Sequence, residues 1–158
     1  MSARVGDRRR AREYALQALF QLDLVPERDT ETAMEEFWSG KRVHDAVRQF
    51  ADELVMGTMG HRDGVDQILA TCALNWRVSR MAVVDRNVLR MAIYEFLFQP
   101  ATPRVVVIDE AIEIAKKFGT EESGVFINGI LDAIRIKLES GELVPPAGLG
   151  AIPARSTA

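Results

Sequence analysis

A chain of 158 residues with 47% apolar and 27% charged side chains can bury roughly 70% of its unfolded surface in one domain. Its formal charge of −3 excludes a globally basic nucleic-acid binder, and its single cysteine, Cys72, excludes an internal disulfide and a cysteine-rich metal site. No apolar run follows the N-terminal arginines as a signal peptide requires, and none approaches the ~20 residues of a membrane helix, so the expectation is a soluble cytoplasmic protein with no membrane attachment.

The charge is uneven. Residues 4–12 carry Arg4, Arg8, Arg9, Arg10 and Arg12 against Asp7 alone. The same stretch opens an amphipathic helix over 8–24, with Leu16, Leu19 and Phe20 on one stripe and Ala11, Ala15, Ala18 and Leu22 on the next. Pro26 ends it. Thr30 or Thr32 is the expected cap of a short helix reaching Phe37 and Trp38, and "SGK" at 39–41 breaks it. Val47, Phe50, Ala51, Leu54 and Val55 mark a third helix, which Gly57 and Gly60 loosen or end. Val65, Ile68, Leu69 and Cys72 mark a fourth, with Cys72 read as a small buried hydrophobe. "NWRVSRMAV" at 75–83 is a connector without period.

From Val84 to Phe98 the chain is apolar nearly all round, the pattern of a helix at the centre of a bundle. Two prolines force a turn at "QPATPR". "VVVI" at 105–108 has strand composition, but Ile108, Ala111, Ile112, Ala115 and Phe118 keep a helical period and no second strand exists to pair with it. Gly119 fits the end of that helix, and Thr120 the cap of the next, with Glu121 and Glu122 in its first turn. Ile127, Ile130, Leu131, Ile134 and Leu138 mark the last helix; residues 140–158 read as a mostly disordered tail. The sum is an all-α chain of about seven helices.

Catalytic patterns are absent from this reading. His44 and His61 lie in no HxxxH or HExxH spacing and read as surface or boundary residues, and there is neither GxGxxG nor a P-loop lysine. No metal, cofactor or catalytic residue is expected. The arginine cluster stands out instead. Arginines at a helix N-terminus oppose the macrodipole at a few tenths of a kcal/mol each, and four in five residues repel one another. A polyanion relieves that frustration, and the planar guanidinium fork suits phosphate. An acidic protein partner, or a merely solvated helix start, are the other readings of the charge.

"RRRAREYALQALFQLD", "VVDRNVLRMAIYEFL" and "VIDEAIEIAKKFGTEESGVFINGILD" resemble, in order and spacing, the NusB family of bacterial transcription antitermination factors. The resemblance implies two small helical bundles in one NusB-like domain over 5–139, with 140–158 outside it. It implies no enzyme activity. It implies partnership with NusE, a small-subunit ribosomal protein, binding of boxA RNA on nascent ribosomal transcripts, and membership of an RNA polymerase antitermination complex; some members form homodimers that hide the RNA surface. Carried over by position, Arg8, Arg9, Arg10 and Arg12 are phosphate contacts, Phe126 a base-stacking ring, Asn128 its neighbour in "FING", Glu122 a charge that tunes affinity, and Arg90 a residue near the RNA. Phe20 and Asp85 fall on the NusE side; position 20 is often tyrosine in the family, so a hydrogen bond made there is lost. From the residues alone, Phe126 and Phe20 fit a core stripe equally well, and Asp85 fits a simple helix start.

Two rivals accompany this reading: a helical module that binds protein only, and a detached NusB-like domain of an RNA cytosine methyltransferase, whose Rossmann-type domain and catalytic cysteine have no counterpart here. A third, a small all-α enzyme using an arginine-lined pocket for an anionic metabolite, lacks acid–base candidates.

Overall fold

The computed structural model describes residues 5–145. Arg4 and the stretch 146–158 of the expected tail lie outside the described residues. Among the described residues there are seven α-helices and no strand, and they divide between two units, Met1–Gly60 and His61–Ala158.

The first unit contains α1 (Val5–Leu24), α2 (Thr30–Trp38) and α3 (Asp45–Gly60). Ala11, Ala15 and Ala18 are small enough to let α1 lie close along α3, where Val47, Ala51, Leu54 and Val55 meet Leu16, Leu19 and Leu22 in the core. Tyr14, Phe37 and Trp38 pack edge to face with centroids 5.0 to 6.2 Å apart, and the buried Trp38 indole N–H donates to Asp52 at 2.7 Å. The cap of α2 is Asp29 rather than either threonine: its carboxylate accepts from the Thr32 backbone N–H at 2.9 Å and from the Thr32 hydroxyl. The backbone bond holds the Asp29 carboxyl below its ordinary value. Its folded pKa is therefore depressed, so the cap contributes fully above the unfolded pKa and is lost as pH falls through the folded one.

The second unit contains α4 (Arg62–Cys72), a 3-10 turn (Val78–Arg80), α5 (Val83–Phe98), α6 (Arg104–Phe118) and α7 (Ser123–Ser140). Helix α5 is buried from Asn87 to Leu97 without a break and packs against α4, α6 and α7. Two of its polar residues, Asn87 and Arg90, are met inside the unit. Asn87 Nδ2 donates to Val83 O at 2.8 Å. Arg90, 7% exposed, donates to Asp66 on α4 through Nε at 2.7 Å and Nη2 at 2.9 Å, a bidentate pair. Residues 105–108 are helical, as their period requires: Val107 and Ile108 are buried while Val105 and Val106 face solvent. Cys72 is half-buried, not fully buried as its stripe suggested, because α4 ends at that residue. Gly141 ends α7 at φ 81°, and Leu143 N–H donates back to Lys137 O at 3.0 Å.

The turn from α6 to α7 differs from its expected form. Helix α7 begins at Ser123, not after Thr120, and the Ser123 hydroxyl accepts from the Thr120 backbone N–H at 3.0 Å. Glu121 and Glu122 lie in the turn rather than in the helix. The glycine at 119 is required by space: at φ −105° its backbone is ordinary, but a Cβ there would stand 2.5 Å from Ser123 Oγ and 2.8 Å from Ala115 O.

Two expected outcomes follow from this packing. Arg90→Met leaves the Asp66 carboxylate without its guanidinium and lowers the stability of the second unit by about 2–3 kcal/mol in urea denaturation, and adding Asp66→Asn recovers part of the loss. Gly119→Ala costs about 1–3 kcal/mol by the same measurement, since neither the carbonyl nor the buried serine can retreat freely.

Candidate nucleic-acid interface

The arginines at the start of α1 are not equivalent. Arg8 and Arg12, one helical turn apart, both turn towards Phe50 of α3, with guanidinium carbons 4.2 and 5.6 Å from the ring centroid. Arg12 is only 4% exposed; a guanidinium so placed serves packing within the first unit before it can serve an external anion. Arg9 and Arg10 point to solvent. Arg10 keeps a weak contact with the Tyr14 hydroxyl at 3.4 Å. The exposed cationic edge of α1 is thus Arg9 and Arg10, with Arg8 half-buried beside them. Phe20, on the same helix, is 36% exposed, so core burial does not account for it.

The second unit holds a cleft of about 690 Å³ between the connector ahead of α5 and the start of α7. Asp85, Glu122 and Phe126, expected at separate partner surfaces, all line it. Phe126 is half-buried and meets Trp76 edge to face, centroids 5.2 Å apart at 79°. It is neither a core residue nor a fully free ring. Val125 beside it is 80% exposed and Asn128, a little further along α7, is exposed as well. Glu121 and Glu122 form an acidic rim. Asp85 borders the cleft, and its Oδ1 is buried and accepts no hydrogen bond among the described residues. Arg90 is not a member of this cleft: its guanidinium is committed to Asp66, with Asn87 Oδ1 3.5 Å from Nη1. Through that pair Arg90 joins α4 to α5.

Trp76 is the lining residue that sequence reasoning missed. It is 57% exposed and sits in the connector, where periodicity carries no information. An aromatic residue in a non-periodic segment with Arg77 and Arg80 close by was the available signal.

Chemistry of the acid–base or metal kind is not gathered at either place. Among the described residues no three His, Cys, Asp or Glu side chains group as a metal site. Burial pushes the Cys72 thiol up, away from a reactive thiolate, with Lys137 opposing the shift. His44 is exposed, and His61 stacks on Phe98 with centroids 4.5 Å apart. No helix among the described residues is long and apolar enough to cross a membrane. Each unit by itself offers a feature suited to a single-stranded nucleic acid: exposed cations on α1 in the first, and aromatic rings beside a cleft in the second.

Comparison with known proteins agrees in kind. The model of the NusB family matches residues 9–135. The transcription antitermination protein NusB of Myxococcus xanthus is 48% identical over 139 residues, spanning 85% of this chain and 98% of the relative. The crystal form of T. maritima NusB superposes with a TM-score of 0.77 at 38% identity, covering 90% of this chain and all of that one. A structure of antitermination factors NusB and NusE in complex with double-stranded RNA contains a chain that superposes with a TM-score of 0.72 at 27% identity, covering 83% of this chain and 97% of that one.

Proposed function

The chain belongs to the NusB family, and from that premise we propose that it is a transcription antitermination factor which, together with NusE, holds the boxA RNA of nascent ribosomal transcripts and so joins the RNA polymerase antitermination complex. The observation that carries the reading is the exposed guanidinium pair Arg9 and Arg10 on a protein of net charge −3. Like charges at a helix start are unfavourable in isolation, and phosphate removes the penalty. The relative solved with NusE and RNA supports the same pair of partners.

In this mechanism α1 supplies the electrostatic grip and the second unit supplies the base contact. Arg9 and Arg10 meet phosphates, with Arg8 as a third contact if it leaves Phe50. Two to three phosphate contacts on a single strand predict a slope of log K against log salt of about −1.4 to −2. Phe126 stacks one base, worth ~1–3 kcal/mol. Glu122 at the rim opposes phosphate and sets an upper limit on affinity, and Asn128 offers an amide to a neighbouring base or sugar. Those terms are too small for tight sequence-specific binding by one chain, which is why a second protein is part of the proposal. Asp85 and Phe20 are assigned to NusE: the acidic Asp85 at the cleft suits a basic partner, and the exposed Phe20 an apolar contact.

The deciding experiment measures binding of a boxA strand and a scrambled strand, with and without NusE, across salt concentrations. Arg9→Ala with Arg10→Ala should flatten the salt slope by about 1.4 and leave the melting temperature unchanged, whereas Arg12→Ala should lower the melting temperature. Phe126→Ala should weaken RNA binding about tenfold or more; a fallen melting temperature with unchanged RNA affinity would return that ring to the core. Asp85→Lys should abolish capture of NusE, and undiminished capture rejects the assignment.

A further inference from the structure

The connector between α4 and α5 is better organised than its lack of period suggests. Trp76 N–H donates to Ala73 O at 3.0 Å, Arg80 N–H to Arg77 O at 2.9 Å and Met81 N–H to Val78 O at 3.2 Å. Arg86 Nη1, from α5, reaches Val78 O and Ser79 O, both at 3.2 Å, and Met81 is buried. This backbone presents an indole that is 57% exposed. One side of Trp76 borders the cleft shared with Phe126; the other borders a second cleft of about 610 Å³ that includes Ala70, Leu74 and Arg77.

The charges beside the ring are also unspent. Arg77 and Arg80 are exposed, and neither side chain has a hydrogen bond or ion pair among the described residues. Arg77 stands at the cap of the 3-10 turn and Arg80 closes it; Arg80 borders the cleft shared with Phe126 and Arg77 borders the second cleft, so one guanidinium flanks each side of the ring. A large ring left in water next to two unpaired guanidiniums matches a nucleotide in both its parts: a flat neutral base for the indole and phosphates for the arginines. Glu121 and Glu122 line the first cleft together with Arg80, whereas no carboxylate lines the second cleft beside Arg77.

We infer that the connector 74–80 is a second single-stranded RNA contact, in which Trp76 stacks a base next to the one held by Phe126 while Arg77 and Arg80 hold the flanking phosphates. The inference rests on the RNA-binding reading above and extends it to residues that reading does not use.

The test uses the full chain with NusE and a boxA RNA strand. The chain has two tryptophans, and Trp38 is buried, so RNA-dependent quenching of indole emission reports on Trp76 and disappears in Trp76→Phe. Trp76→Ala should weaken RNA binding about tenfold, and Trp76→Phe, which keeps a ring, should recover most of it. Arg77→Ala with Arg80→Ala should flatten the salt slope by about 1.4. Melting temperatures of all three variants should match the parent, since these side chains are exposed. If the parent binds RNA through Arg9 and Arg10 but Trp76→Ala binds equally well and emission does not change, the connector site is overturned and the RNA reading stands. If Trp76→Ala loses NusE and retains its affinity for RNA alone, the connector is a protein-docking surface and the inference is likewise overturned. If the parent ignores RNA altogether, both readings fall.

Discussion

A sixteen-residue helix with almost no solvent face still carries a guanidinium, and the second unit is organised around meeting that charge. Arg90 cannot reach water from the middle of α5. A buried arginine without a partner would cost several kcal/mol, so α4 must bring Asp66 to within 2.7 Å of it. Once α4 is held against α5 in this register, the segment joining them has little freedom. It leaves the end of α4 at Cys72, turns through Val78–Arg80 and enters α5 at Val83.

The same logic of local supply and tertiary demand operates on α1. Four arginines in five positions look like one feature, yet the helix distributes them around its circumference. Those one turn apart, Arg8 and Arg12, come to the Phe50 ring, where cation–π attraction and the apolar stem of arginine both favour them. Those between them, Arg9 and Arg10, are left facing water. Fewer cations are therefore open to solvent than the count implies, and their helix is anchored by their neighbours.

Between α6 and α7 the controlling fact is steric. Gly119 admits the Ser123 hydroxyl to the place a side chain would fill, and that hydroxyl holds the Thr120 N–H. The result puts Glu122 in the turn and Phe126 in the first stretch of α7, both bordering the cleft that also takes Asp85. Residues assigned by resemblance to two different partners thus share one cavity.

Helix positions were legible in the amino-acid sequence because periodicity is local: Ile108, Ala111 and Ala115 identify a helix from their own spacing, even behind a run of valines, and the all-round apolar character of 84–98 identifies the central one. The density of arginine before Ala11 was likewise plain, and "DEAIEIAKKFG" followed closely by "FINGILD" carried the family resemblance. What the sequence could not decide is which of several equivalent side chains finds a partner. Phe50 is far from Arg8 and Arg12 in the chain, as Asp66 is from Arg90, and nothing in local spacing marks such pairs. Ends of helices were read least well: Asp29 caps α2 in place of either threonine, and Glu122, without a side-chain bond, stands at the cap position of α7 in place of Thr120, because a helix end depends on one or two local bonds that several neighbouring residues could make. Trp76 was invisible for the complementary reason: outside a periodic segment, only the folded chain determines whether a ring is covered or left to water.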